Sequence, residues 1–146
     1  MDEKFLDIAI QGDESLLEAC AYLHDSRLDL SKIQYNEAEG TWQAPFEREF
    51  LEDPSKIERK RKYLIFSKVS FPVVHSVLTL KGVKTCRIED KSKIQIYMFN
   101  KCRIKGDTYR FEFCEDMSIY LTFNEKPAGN LKDHHFLEEK KSISII

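Results

Sequence analysis

The sequence predicts a mainly β protein: an antiparallel sheet of about seven or eight strands, curled into a sandwich or an open barrel, with an N-terminal helix. Runs rich in β-branched and aromatic residues recur about every ten residues along most of the chain. Gly106-Asp107 joins two such runs as a two-residue hairpin turn. The clearest helical spacing of apolar residues lies near the N-terminus.

The first segments are a short strand or extended lead-in at residues 5–10 and a helix at residues 14–22. Gly12 separates them, and Asp13 is a suitable N-cap for the helix. The apolar stripe of the helix comprises Leu16, Leu17, Cys20, Ala21 and Leu23. We expect this stripe to cover one open end of the sheet.

The next two strands form a hairpin around a polar turn at residues 36–40. The alternation slips by one residue between Leu30 and Ile33, which predicts a β-bulge near residues 31–32. Residues 41–47 return with Trp42, Ala44 and Phe46 on one side. Pro45 favours an edge position or a bulge.

A charged connection with one helical turn near Ile57 follows at residues 49–62. Three strands are predicted after it, at residues 63–71, 74–80 and 84–89. Pro72 is expected to stop the first of them, and residues 81–83 to turn the chain between the other two.

The Gly106-Asp107 turn fixes the register of the hairpin that it closes. The predicted pairs are Ile104 with Tyr109, Cys102 with Phe111 and Asn100 with Phe113. By period two, the same apolar face continues with Met98, Ile96 and Ile94. Asn100 would then be polar within an apolar face, either bonded to backbone at a bulge or lining a small polar pocket.

A third strand at residues 117–123 has its own apolar face. A two-residue turn before it would direct that face outward, so we predict a three-residue turn at residues 114–116. Met117 is then beside Phe113, Ile119 beside Phe111 and Leu121 beside Tyr109.

We divide the chain into one β-rich domain at residues 1–124 and a C-terminal extension at residues 125–146. The breaker run at residues 126–130 marks the change. The extension is predicted to form a short helix at residues 133–140 capped by Asp133, and an edge strand or mobile tail at residues 142–146.

Composition excludes several classes of protein. Lys and Arg number 23 against 25 Asp and Glu, a balance that argues against a nucleic-acid or membrane surface. The four cysteines are scattered without metal-ligand spacing and are interpreted as reduced. The N-terminus lacks a basic segment followed by an apolar run, and no apolar run of about 18 residues occurs. We therefore expect a cytoplasmic protein.

The histidines give little indication of a catalytic or metal-binding site. His24-Asp25 has the groups of a metal or acid/base pair, but a turn at the end of the helix is the preferred interpretation. His134 and His135 are adjacent and should point apart, and His75 alternates with valines as a core or interface residue. No G-x-S-x-G or phosphate-binding glycine loop is present. We predict no enzyme activity, no metal and no cofactor.

A basic run at residues 56–62 and the polar face of the hairpin are the candidate binding features. The hairpin contributes Lys101, Arg103, Lys105 and Arg110. The predicted binding surface comprises His24, Asp25, Arg59, Arg61, Lys101, Arg103 and Arg110.

The segments Leu23-His24-Asp25-Ser26-Arg27-Leu28, Ile33-Gln34-Tyr35-Asn36 and Leu78-Thr79-Leu80-Lys81-Gly82-Val83 resemble a group of small bacterial all-β proteins. Some members of that group are immunity proteins of polymorphic toxin systems. The resemblance covers about residues 23–124, and it implies an intracellular protein that neutralises a cognate toxin without catalytic residues.

We therefore expect a non-enzymatic protein-binding module of the immunity type, with a protein partner and no membrane contact. An edge strand offers a route to a homo-oligomer. The alternative is a β-barrel that binds a small ligand or single-stranded nucleic acid through Asn100, His75 and the basic run.

Overall fold

The computed structural model describes residues 5–50, 58–62 and 66–145. The elements in chain order are β1 (Asp7–Gln11), α1 (Asp13–Tyr22), β2 (Arg27–Asp29), a 3₁₀ helix (Leu30–Lys32), β3 (Gln34–Asn36), β4 (Thr41–Glu49), β5 (Glu58–Lys62), β6 (Phe66–Asp90), β7 (Ile96–Lys105), β8 (Thr108–Phe113) and β9 (Met117–Ile145). The prediction of a mainly β protein with an N-terminal helix is confirmed.

Six of these strands close into a barrel. The order is β9-β8-β7-β2-β4-β6, and β6 pairs back with β9. All pairings are antiparallel, and β1, β3 and β5 add to the outside of the ring. Closure gives each strand of the ring two neighbours, which removes the unpaired edges that an open sheet exposes.

Aromatic side chains fill the barrel. Trp42, Phe46, Phe99 and Phe111 are each at most 1% exposed. Their ring centroids are spaced by about 6 Å, and Phe46 stacks on Phe113 at 6.4 Å. Such rings supply large apolar areas and prefer these offset or edge contacts. The predicted inward side of β4 is confirmed, since Trp42, Ala44 and Phe46 are all buried.

Helix α1 starts one residue before the predicted start and ends where predicted. The predicted cap is wrong: Gly12, with φ of 99°, is the N-cap, and no side chain caps the helix. The Gly12 N–H donates to the Pro127 carbonyl instead, and the Asp13 carboxylate accepts a hydrogen bond from the Tyr109 hydroxyl. The helix buries Leu16, Ala19 and Cys20 in the barrel core.

The hairpin of β7 and β8 has the predicted register near its turn. Ile104 pairs with Tyr109 and Cys102 with Phe111. Across the three-residue turn, Ile119 lies opposite Phe111 as predicted. Both of these side chains are buried, so the meander has the single apolar face that the sequence predicts.

The register predicted for the part of β7 that precedes Cys102 is wrong. A β-bulge between Phe99 and Lys101 pairs Phe99, and not Asn100, with Phe113. Tyr97 and Phe99 therefore point inward, whereas Ile94 and Ile96 are 50% and 43% exposed. Asn100 is exposed at the bulge, and its carbonyl accepts a hydrogen bond from His24.

Strand β6 replaces the three separate strands predicted over residues 63–89. Pro72 lies inside it, beside one of four irregularities in its pairing with β9. Such irregularities let a long strand bend around the barrel. Residues 63–65 and the predicted helical turn at Ile57 lie outside the described residues. Residues 58–62, predicted as part of a connection, form β5.

Strand β9 runs through the predicted domain boundary at residue 124 without interruption. The helix predicted at residues 133–140 is wrong, because this segment pairs with β6 as a strand. Gly129 is required in β9: a Cβ atom there would lie 1.9 Å from the Thr79 carbonyl oxygen. In place of the β-bulge predicted near residues 31–32, the structure has the 3₁₀ helix Leu30–Lys32.

A charged network is buried inside the barrel near Leu6. The Asp133 carboxylate lies 2.6 Å from Arg48 Nη2, and both side chains are at most 3% exposed. Ser76 and the Leu6 N–H also donate to Asp133. These three donors account for the position of a carboxylate in an apolar interior.

Candidate functional site

The predicted basic residues of the hairpin share one outer surface. Cys102 and Ile104 point into the barrel, so Lys101, Arg103 and Lys105 point outward by alternation. Arg110 pairs with Arg103 on the same face. The structure thus brings together three of the predicted binding residues, Lys101, Arg103 and Arg110.

Cross-strand pairing extends this surface over four strands. Arg87 on β6 pairs with Tyr120 on β9, Tyr120 pairs with Arg110 on β8, and Arg110 pairs with Arg103 on β7. We call these four residues the arginine–tyrosine row. The guanidinium carbons of Arg87 and Arg110 lie 4.1 and 5.4 Å from the Tyr120 ring centroid, within range of cation–π attraction.

A row of acidic and polar residues runs beside the arginines. Its members, in strand order from β6 to β7, are Glu89, Ser118, Glu112 and Lys101. Arg87 bonds Glu89 at 2.7 Å and Arg103 bonds Glu112 at 2.7 Å. The hydrogen bond from Arg87 holds the pKa of the Glu89 carboxyl below its usual value.

These ion pairs are exposed. The side chains of Arg87 and Arg103 retain 63% and 60% of their accessible surface. Exposed pairs of this kind contribute little to stability, since water screens them and two long side chains lose freedom. The arginines can therefore exchange these carboxylates for those of another molecule at little cost.

Arg87 and Tyr120 are absent from the predicted surface. The alternation of Thr85, Arg87 and Glu89 and that of Ser118, Tyr120 and Thr122 each mark an outward face. What places Tyr120 between two arginines is the pairing of β9 with both β6 and β8.

His24 and Asp25 end α1 and turn the chain, as the preferred interpretation predicts. His24 Nδ1 donates to the Asn100 carbonyl at 2.8 Å, and the Asp25 N–H donates to the Phe99 carbonyl at 2.8 Å. Asp25 has φ of 66°, in the left-handed region that aspartate tolerates. The pair thus binds the bulged part of β7, at the two residues that precede Lys101.

Arg59 and Arg61 lie on β5, which pairs only with β6 in the described part of the chain. Their partners are Val69 and Ser67, far along β6 from Arg87. The structure does not join them to the arginine–tyrosine row through strand pairing.

His134 and His135 do not point apart as predicted. The pairing skips a residue between His75–His135 and Ser76–Asp133, so His134 is the extra residue of a bulge. The ring centroids of His135 and His134 lie 5.0 and 6.0 Å from that of His75. We call these three residues the histidine cluster. Burial of His75, and then the two neighbouring imidazoles, lower the pKa of its ring.

His75 also borders an open groove of about 500 Å³ on the outside of the barrel. The groove lies where the 3₁₀ helix separates β2 from β3, and its other borders include Lys32, Gln43 and Pro45. Asn100 is on β7, which β2 and β4 separate from β6 in the sheet order, so the structure does not bring it together with His75. Among the described residues, no three His, Cys, Asp or Glu side chains are arranged to hold a metal ion.

The fold and surface define a closed six-stranded antiparallel β-barrel with one packed helix and an arginine–tyrosine row on its outer face. Comparison of the chain with protein-family models, curated proteins and solved structures finds no match. Within the described residues, no helix has the length and apolar character needed to cross a membrane.

Proposed function

We propose that this protein is a non-enzymatic protein-binding module whose contact surface is the arginine–tyrosine row, and that its partner presents an acidic surface. The observation that carries the proposal is the alignment of Arg87, Tyr120, Arg110 and Arg103 across four adjacent strands. Arginine and tyrosine are the residue types that most often dominate binding energy at protein interfaces.

The charge of this face supports an acidic partner. Basic side chains on the outward rows outnumber the carboxylates of Glu89 and Glu112. The chain as a whole carries a formal charge of −2, so the basic excess on this face contrasts with the net charge of the protein. Complementary charge speeds encounter and selects the partner.

The packing of the barrel favours binding through its outer surface over binding of a ligand in its interior. Trp42, Tyr97 and Phe99 occupy its interior and are at most 1% exposed. A ligand barrel needs an interior cavity of roughly 300 Å³ or more with converging polar groups. The groove beside His75 lies outside the barrel and is open to solvent.

In its specific form, the proposal is a cytoplasmic immunity-type protein of bacteria that neutralises a toxin. This form rests on the sequence resemblance that begins at Leu23-His24-Asp25. The free thiols of Cys20, Cys86, Cys102 and Cys114 agree with a reducing compartment.

The test compares capture of the partner by three forms of the protein. Wild type, an Arg103→Glu/Arg110→Glu variant and an Arg27→Glu control are immobilised and exposed to nuclease-treated lysate of the native cell. Arg27 is a matched control because it is also an exposed arginine beside a carboxylate, at 3.6 Å from Glu47, but lies on β2.

We expect wild type and the control to retain one stoichiometric protein that the double variant binds at least about tenfold more weakly, because like charges then face each other. Equal capture by all three forms would refute the assignment of the surface.

A second candidate function, binding of single-stranded nucleic acid, is favoured by the position of Tyr120 between two arginines. Stacking of bases on an aromatic ring beside cations is typical of such surfaces. Anisotropy of a labelled oligonucleotide would distinguish the two functions. Nucleic-acid binding requires an affinity that falls steeply with salt and is lost in Tyr120→Ala.

A further inference from the structure

Three of the four histidines meet at one point on the outside of the seam between β6 and β9. The bulge at His134 is the cause, since a regular strand would direct His134 and His135 to opposite faces. His75 and His135 stack with an angle of 18° between their ring planes. A stack of two imidazoles is favourable only while at least one ring is neutral.

Within the described part of the chain, few negative charges offset protonation of this cluster. Among the described residues, the charged side chains around it include Lys32 on the 3₁₀ helix, Glu47 and Glu49 on β4, Arg27 and Asp29 on β2 and Lys132 on β9. Arg48 and Asp133 lie on the inner side. Lys32 disfavours and Glu47 favours the charged form of His75. The Glu47 carboxylate also forms an ion pair with Arg27, at 3.6 Å, and the Asp133 carboxylate is bound to Arg48.

The segment beyond the bulge is attached by this seam and by the packing of the Phe136 ring against those of Phe5 and Phe50. Strand β1 pairs with β9 only up to Lys132. From His134 to Ile145, the only strand that pairs with β9 in the described part of the chain is β6. Loss of the His75–His135 contact would therefore weaken the pairing of the segment at its point of attachment.

We propose that His75 makes the segment of β9 beyond Asp133 acid-sensitive: its protonation within the histidine cluster separates residues 134–145 from β6 while the barrel remains closed. The barrel contacts of β9 lie on the other side of the bulge, where it pairs with β8, β1 and residues 76–90 of β6. These pairings do not involve the cluster.

The sign of the effect follows from linkage. The pKa of His75 is lower in the folded protein than the ordinary value of 6.5, so the unfolded or detached segment binds protons more readily. The seam is therefore fully stable above pH 6.5 and loses stability as the pH falls through the pKa of folded His75. Each unit by which a pKa is lowered corresponds to a tenfold change in the equilibrium.

The test is hydrogen exchange followed by mass spectrometry at pH 7.5 and 5.5, corrected for intrinsic exchange rates. Peptides covering residues 66–75 and 134–145 should lose protection in wild type at the lower pH, by up to about tenfold, which is the limit for one histidine between these pH values. Peptides covering β7 and β8 should change little. His75→Phe preserves a stacking ring without a titrating group and should abolish most of the loss, whereas His24→Gln should behave as wild type.

Two surface variants provide a test that does not depend on the folding of His75→Phe. Lys32→Gln removes a repulsive charge and should move the transition to lower pH, and Glu47→Gln removes an attractive one and should move it to higher pH. Unchanged protection of wild type at pH 5.5, or the same transition in all these variants, would overturn the proposal.

Discussion

Substitution of Asp133 by asparagine tests the energetics of the barrel interior. The carboxylate receives three donors: Arg48 Nη2 at 2.6 Å, the Ser76 hydroxyl at 2.6 Å and the Leu6 N–H at 2.8 Å. An asparagine side chain has one acceptor oxygen in place of two and adds a donor group. At least one of these donors therefore loses its acceptor, and the guanidinium loses the negative charge beside it.

We expect Asp133→Asn to lower the free energy of unfolding by about 3–5 kcal/mol, which is the range for removing one member of a buried ion pair. Both side chains of the pair are at most 3% exposed, so water cannot replace the lost carboxylate without entering the core. For a chain of this size, that loss corresponds to a decrease in melting temperature of roughly 10 °C.

The assay is urea denaturation followed by the fluorescence of Trp42, the single tryptophan and a fully buried one. Asp116→Asn is the control, because Asp116 is exposed in the β8–β9 turn with φ of 55°, which asparagine also adopts. The free energy of unfolding of an Arg48→Met/Asp133→Leu double variant should fall by less than the sum of the decreases in the two single variants. A loss below about 1 kcal/mol for Asp133→Asn, or simple additivity in the double variant, would refute this reasoning.

Other positions give independent tests. Gly129→Ala should prevent stable folding, as judged by circular dichroism, because its Cβ would overlap backbone, whereas Gly106→Ala, with open space at φ of 62°, should cost only about 1 kcal/mol. The pKa of Tyr109 is raised to about 12, first by burial and then by its bond to a carboxylate, so its absorbance should titrate near pH 12. The stability that this group contributes is complete below pH 10 and is lost as the pH rises toward 12. A hydrogen bond with a second thiol and then burial raise the pKa of the Cys20 thiol, so a disulfide reagent should label exposed Cys114 first and Cys20 only on unfolding.

The register of the β7–β8 hairpin could be predicted only where the sequence offers a choice between apolar and polar faces. Near the turn, Ile104 alternates with charged neighbours, so one face must be buried. Between residues 94 and 99 both faces carry apolar side chains, and alternation alone cannot select Tyr97 over Ile96. The choice is made by β2, which pairs with Ile96–Met98, and by the turn after α1, where His24 binds the bulge at Asn100.

The predicted helix at residues 133–140 fails for a related reason. Asp133 followed by polar residues satisfies the local rules for a capped helix. In the folded protein its carboxylate binds Arg48, which lies 85 residues away along the chain, and the segment pairs with β6. Local propensity is a weak preference that contacts of this kind override.

Local patterns in the chain were sufficient to predict the β-rich character, the helix, the turns at residues 106–107 and 114–116 and the outward direction of Arg103 and Arg110. Each of these depends on residues a few positions apart, through period-two alternation or turn conformation. Tertiary structure decided the closure of the barrel, the position of Tyr120 between two arginines and the meeting of the three histidines. These features depend on which distant strands pair and where bulges shift them, and such pairings are set by the packing of the whole core.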